Sequence, residues 1–195
     1  CCLVELYPAK HDSLESFIKT CKFAYLYAKT VTLLPIHNQL SNAVQMKNRR
    51  IGLSQSGITE AIEKFGRYNY FQMCDKSYQY VQKIDKVYSD WLCIPRSIKT
   101  TSVKPSGSCS LVTGARAGIH YSQDRFYIRR VRVQAQSPIL QAAELAGYKV
   151  EPDFSVPNTF CIEFPIEEEN FIRSKRDVSM WEQLELAAML QEHWS

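Results

Sequence analysis

The chain has 195 residues, 45% of them apolar, and a formal net charge of +4. That length holds one domain or a piece of a larger one, and the apolar share is ample for a packed core. The mild, dispersed positive charge admits anionic ligands but argues against a nucleic-acid-binding protein; no apolar run reaches the length of a membrane span, and no secretory signal opens the sequence.

Taken in order, Cys1-Cys2-Leu3-Val4-Glu5-Leu6-Tyr7-Pro8 reads as a short strand ended by proline. Asp12-Ser13-Leu14-Glu15 has capping-box spacing, and Leu14, Phe17, Ile18, Cys21, Tyr25 and Ala28 follow at helical intervals up to about Leu34, where Pro35 stops the helix. Asn48-Arg49-Arg50-Ile51-Gly52-Leu53 is a turn entering a short apolar strand. Ser56 or Thr59 caps a helix that ends near Gly66. A long helix is predicted over 70–92, with Phe71, Cys74, Tyr78, Val81, Ile84, Tyr88 and Trp91 along one side and Pro95 beyond its end. The β-prone run 98–103 comes next, and later 126–133 alternates apolar residues with arginines. Ser137-Pro138 opens a helix through Leu145 that Gly147 closes. Strands are predicted at 148–150 and 159–164, a charged loop at 174–177, and a last helix from about Val178 carrying Trp181, Leu184, Leu186, Met189 and Leu190. Helices alternating with short strands place the chain in the α/β class with largely parallel pairing.

The chain has seven cysteines and four histidines but no C-x-x-C pair, so neither a disulfide framework nor a structural zinc site is indicated. No metal ligand set is predicted. Reduced thiols in a cytoplasmic enzyme are the simpler reading, with Cys21, Cys74, Cys93 and Cys161 as small buried hydrophobes.

One stretch stands apart. Lys104-Pro105-Ser106-Gly107-Ser108-Cys109-Ser110 packs hydroxyls and a glycine closely together after a proline. Such a loop offers N–H and O–H donors to a single anion, and the glycine permits close approach of the backbone. Where a helix follows, a phosphate is the natural guest. The spacing is not that of a Walker loop, because Lys104 precedes the glycine. By composition alone the stretch fits an ordinary polar turn equally well.

The longer string is more specific. Lys104-Pro-Ser-Gly-Ser-Cys-Ser-Leu-Val-Thr-Gly114, then Ala117-Gly-Ile-His120, then Tyr127-Ile-Arg-Arg-Val-Arg132, resembles the monomeric adenosylcobalamin-dependent ribonucleoside-triphosphate reductases. Asn48-Arg-Arg-Ile-Gly52 and the stretches 148–153 and 177–186 extend the resemblance over nearly the whole chain. It implies a fragment, residues 1–195, of a ten-stranded α/β catalytic barrel, truncated at both ends. The radical-cysteine loop and the allosteric region would lie outside it, and the chain alone would be inactive.

The resemblance also implies roles. Ser106, Gly107, Ser108, Cys109 and Ser110 would hold the substrate's phosphates, with Cys109 packed inward and lending only its backbone N–H. Cys1, in Cys1-Cys2-Leu3-Val4-Glu5, matches the cysteine that supplies one half of the reducing dithiol, its partner lying outside this chain. Cys2 stands where the family has asparagine, so the choice between the two sulfurs stays open. The segment that starts at Tyr148 and ends at Ser195 would help receive adenosylcobalamin, without individual contacts. Glu5 is read as a polar strand residue and not as the catalytic carboxylate, and His120 as a hydrogen-bonded structural histidine. Arg116 departs from the family's pattern and is either an added phosphate ligand or solvated. Arg129, Arg130 and Arg132 form a basic strand, read either as a solvated edge or, by the resemblance, as one in which an arginine pairs internally. Expected partners are a ribonucleoside triphosphate and thioredoxin or a similar dithiol, with no nucleic acid and no membrane, the parent being a monomeric cytoplasmic enzyme. The competing readings are a reductase of another class, with diphosphate substrate and diiron partner, and a non-catalytic module that binds nucleotide phosphates.

Overall fold

The computed structural model describes residues 2–168 and 171–195. They form two compact units, one of residues up to Tyr121 together with Ser179–Ser195, the other Ser122–Val178. The second unit is inserted into the sequence of the first.

In the first unit, strand β1 (Cys2–Leu6) pairs in parallel with β2 (Ile51–Gln55), Cys2 opposite Ile51 and Leu6 opposite Gln55. Parallel neighbours need a crossover. It is supplied by helix α1 (Leu14–Val31) and helix α2 (Gln39–Asn48). The predicted strand at 98–103 is reduced to a ladder along β2. Ile51 N donates to Lys99 O at 2.9 Å and Ser102 N to Leu53 O at 2.8 Å, with one parallel bridge between Leu53 and Thr101. Helices α3 (Ile58–Phe65) and α4 (Arg67–Leu92) connect β2 to this segment. The three extended pieces run in one direction, so Tyr7, Ser56 and Lys104 all leave from the same edge.

Alternation assigns the two faces of this small sheet. Leu6, Ile51 and Leu53 enter the core with Val4 packed beside them, against Phe17, Cys21 and Tyr25 of α1 and Tyr70, Cys74 and Val81 of α4. Gln55 lies on the same face, accepting from the Tyr70 hydroxyl at 2.9 Å. Leu3, Glu5, Gly52 and Ser54 occupy the opposite face. A Cβ on Gly52 would stand 2.7 Å from both Leu3 Cδ2 and Ser102 Oγ. Helix α7 (Met180–His193) closes the core with Leu186, Leu190 and Trp194, whose indole N–H donates to Leu53 O at 3.2 Å. Trp181 and Leu184 of this helix are exposed.

A buried ion pair joins α1 to α4. Lys29 Nζ, with its side chain fully buried, donates to Asp85 Oδ1 at 2.7 Å, to Ser97 Oγ at 3.0 Å and to Pro95 O at 3.2 Å. The Tyr25 hydroxyl donates to the same Asp85 oxygen at 2.8 Å. Burial pulls the Lys29 ammonium below its ordinary value and Asp85 opposes that pull. Burial also pushes the Cys21 and Cys74 thiols up to about 12, which suits inert core residues.

The second unit is antiparallel, which corrects the expectation of largely parallel pairing. Strands β3 (Phe126–Gln134), β4 (Lys149–Pro152) and β5 (Thr159–Glu167) are ordered β3-β5-β4. The physical reason is the short link between β4 and β5, where Asp153 Oδ1 accepts from the Ser155 and Val156 amides at 2.8 and 3.0 Å; such a hairpin cannot make parallel neighbours. Helix α5 (Cys109–Thr113) belongs to the first unit, and α6 (Pro138–Leu145) covers one sheet face here, placing Leu140 and Ala143 against Ile162. The other face carries ion pairs. Arg130 reaches Glu151 at 2.9 Å and Glu163 at 3.4 Å, and Arg132 reaches Asp153 at 2.5 Å. The Arg132 guanidinium, aided by the turn amides, holds the Asp153 carboxyl well below the usual carboxylate range. Arg129 donates to the Tyr127 hydroxyl at 2.7 Å, so all three arginines of this edge strand are partnered, not one.

Other expectations need adjustment. Helix α1 is capped by Ser13 rather than Asp12 and ends at Val31. Cys93 is exposed at the end of α4 in a left-handed conformation, unlike buried Cys21, Cys74 and Cys161. Among the described residues no helix is long and apolar enough to cross a membrane.

Asp85→Asn leaves the Lys29 ammonium buried without its counter-charge and is expected to destabilise the protein by about 3–5 kcal/mol. Urea unfolding checks this, and the double change Lys29→Met with Asp85→Leu is expected to lose less than the single one.

Candidate functional site

The serine loop leaves the edge of the sheet where the parallel segments end. Such C-terminal ends are where open α/β sheets place their ligands. The loop runs from Lys104 through Ser106 and Gly107 into α5, then returns through Arg116 to Gly118. Ser106 takes a left-handed backbone with φ of +48°, a costly conformation for a residue with a Cβ. Its Oγ is buried and has no hydrogen-bond partner among the described residues. Gly107 and Ser108 are exposed, a Cβ at Gly107 would meet nothing within 4 Å, and the Ser108 side chain caps nothing in α5.

Two of the expected contacts are corrected here. Ser110 is fully buried and donates its hydroxyl to Ser106 O at 2.6 Å, so it serves the loop's own turn. Cys109 does not pack inward. It is exposed, because the inward position of this short helix is taken by Ser110, and its carbonyl accepts from the Tyr7 hydroxyl at 2.9 Å. That bond ties the loop to the end of β1. Gly107, Ser108 and Cys109 are the exposed part of the string, beside the buried Ser106 hydroxyl.

The base of the loop is held by a residue the sequence reading left as an ordinary strand polar group. The Glu5 side chain is only 5% exposed. Its Oε1 accepts from Ser56 Oγ at 2.6 Å, while Oε2 accepts from Ser54 Oγ and pairs with Lys104 Nζ at 3.0 Å. Ser56 Oγ in turn accepts from the Gly118 amide at 3.1 Å. Gly118, with φ of +49°, lies so close to Lys104 that a Cβ there would stand 2.2 Å from Lys104 O. Both ends of the 104–118 excursion therefore meet at one carboxylate. A signal for this was present in the sequence. Leu3, Glu5 and Tyr7 share one parity, and the small residues Gly52, Ser54 and Ser56 share another that faces them.

Arg116 is neither a phosphate ligand nor solvated. It is 5% exposed, donates to Glu63 Oε2 at 2.8 Å and lies 3.8 Å from Glu60, whose Oε1 also accepts the Arg116 amide at 2.8 Å. His120 Nδ1 lies 2.9 Å from Ala117 O, within its own turn. Arg49 is buried and donates to Thr32 O.

Cys1 lies outside the described residues. Cys2 begins β1 on the face of Val4 and Leu6, the face packed by helices, and not on the face of Glu5. The segment 148–195 is shared between the units: β4 and β5 belong to the second and α7 to the first. It exposes Phe154 and Val156 in one unit and Met180, Trp181 and Leu184 in the other. Among the described residues no group of three or more histidine, cysteine, aspartate or glutamate side chains is placed to hold a metal ion.

With this geometry, the comparisons decide the family. The chain is 48% identical over 196 residues to the adenosylcobalamin-dependent ribonucleoside-triphosphate reductase of Euglena gracilis, covering all of this chain and 27% of that protein. The probable counterpart of Dictyostelium discoideum is 46% identical over 195 residues, again over the whole chain and 26% of that protein. The chain belongs to this family. The chain spans about a quarter of the length of these relatives. A solved B12-dependent (class II) ribonucleotide reductase superposes with a TM-score of 0.84 at 33% identity, over the whole chain and 31% of that structure. No protein-family model matches the chain.

Gly118→Ala would force a methyl into Lys104 O at a positive φ. It is expected to cost at least about 2 kcal/mol and to loosen the loop, measured by thermal unfolding and by protease nicking at 104–118.

Proposed function

We propose that this chain is the segment of an adenosylcobalamin-dependent ribonucleoside-triphosphate reductase that grips the substrate's phosphates and carries one of its reducing thiols. The observation that carries the reading is the loop itself: Ser106 with a buried, unpartnered hydroxyl beside the open Gly107 and Ser108, at the C-terminal edge of parallel segments. Hydroxyl and amide donors bind a polyphosphate without adding a buried charge of their own. In this reading β1, β2 and the 98–103 segment are part of a ten-stranded barrel completed by the rest of the protein, and the substrate is a ribonucleoside triphosphate.

The reaction removes the ribose 2′-hydroxyl as water. Two thiols are oxidised to a disulfide and supply the two electrons and two protons. Cys1 is the thiol proposed from this chain. Cys2, the alternative sulfur, lies on the face of Val4 and Leu6, away from the loop base. A second cysteine outside the chain completes the pair, and thioredoxin or a similar dithiol restores it by thiolate exchange. The segment 148–195 would help hold adenosylcobalamin, and Met180, Trp181 and Leu184, exposed on α7, have the chemistry to lie against a corrin. When bound, that cofactor supplies the radical that starts turnover. This chain's part is to orient the triphosphate and deliver one thiol.

Replacing Ser106 and Ser108 by Ala in the intact enzyme is expected to weaken triphosphate binding by about 1.5–3 kcal/mol for each phosphate bond lost. Substrate titration checks it, and unchanged affinity in the double variant removes the phosphate grip. Cys1→Ser is expected to abolish multiple turnover while leaving cobalamin affinity intact, read by steady-state assay and by cobalamin titration.

A further inference from the structure

Glu5 is a buried carboxylate for which the phosphate loop and the thiols have no chemical use. It touches three things: Ser54 and Ser56 on β2, and Lys104 at the loop's entrance. Through Ser56 it also reaches the Gly118 amide at the loop's exit. A carboxylate so deeply buried must be paired, and each of its oxygens has a protein donor. It follows that Lys104, the cation adjoining the loop, is committed to Glu5 rather than left to find a phosphate. The loop between these anchors depends on them, because Ser106 holds a left-handed backbone that local sequence does not favour. Strain of this kind persists only where the surroundings over-determine it.

From this arrangement we propose that Glu5 is a positioning residue for substrate. It fastens both ends of the 104–118 loop to the sheet edge and so sets Ser106, Gly107 and Ser108 for the triphosphate without touching it. The proposal rests on the phosphate-binding reading of those three residues. Lys104 acts as the other half of the fastener. Its charge cancels that of Glu5, so the anionic substrate meets no uncompensated carboxylate beneath the loop.

The test uses the intact reductase carrying this segment and two readouts, steady-state kinetics and amide hydrogen exchange over 104–118. Glu5→Gln keeps the size of the side chain and removes its charge. Expected are faster exchange over 104–118 and a KM for the triphosphate raised about tenfold, with kcat and cobalamin affinity within about twofold of the parent. A general loss of folding would lower kcat and cobalamin binding together, so the split separates positioning from collapse. Lys104→Met, at a side chain 22% exposed, is expected to give the same pattern, and the double variant to cost no more than either single one. If Glu5→Gln does not fold, Lys104→Met alone decides. Unchanged exchange over 104–118 overturns the proposal. Faster exchange with unchanged KM leaves the fastener standing and removes the phosphate-binding reading.

Discussion

The constraint on which the first unit turns is the burial of one negative charge at the edge of a parallel sheet. A carboxylate taken out of water is tolerated only with close donors on its oxygens. At Glu5 these come from β2 and from Lys104. Strand pairing, the return of the chain at Gly118 and the entry into the serine loop thereby become one arrangement. Backbone ladders alone would fix the strands but would leave the excursion between 104 and 118 free to wander. The hydroxyls at Ser54 and Ser56 convert a flat strand edge into a mooring for that excursion, and Gly118 leaves the space in which it closes.

A second buried pair, Lys29 with Asp85, does different work. It lies on the helical side of the sheet, where Tyr25, Ser97 and the Pro95 carbonyl complete its hydrogen bonds. It joins the long helix α4 to α1 and fixes the turn that follows α4. Seen together, the two pairs bracket the sheet: one organises the helices behind it, the other the loop in front. The antiparallel unit relies on a different arrangement, with a small core under α6 and half-exposed ion pairs such as Arg130 with Glu151 that individually contribute little.

Much of this was legible in the sequence because local rules and tertiary packing agree. Helix α4 announces itself by its apolar stripe, α6 by Ser137-Pro138 and Gly147, and the serine loop by its composition. Where the reading fell short, the information was non-local. Helix α2 has no buried residue and hence no stripe to find. The alternation of 126–133 shows a strand but not the direction of its neighbour β5, which lies beyond α6 and β4 in the sequence. Arg116 looks solvated until Glu60 and Glu63 are folded against it. Cys109 is exposed because Ser110 takes the inward position of the short helix α5. Glu5 was hardest of all, since its partners are 49, 51 and 99 positions away.

The indole of Trp194 reaches Leu53 across 141 positions of sequence, past an entire inserted unit. During synthesis, therefore, the ladder between β1 and β2 can assemble early under α1 and α4, yet the part of the core that α7 completes stays open until the last helix of this stretch emerges from the ribosome. The inserted sheet, whose hydrogen bonds span far shorter separations, has time to form before that happens. Contacts of such long range are slow to make, so the nascent first unit passes through an interval with apolar surface open, the interval in which chaperones bind.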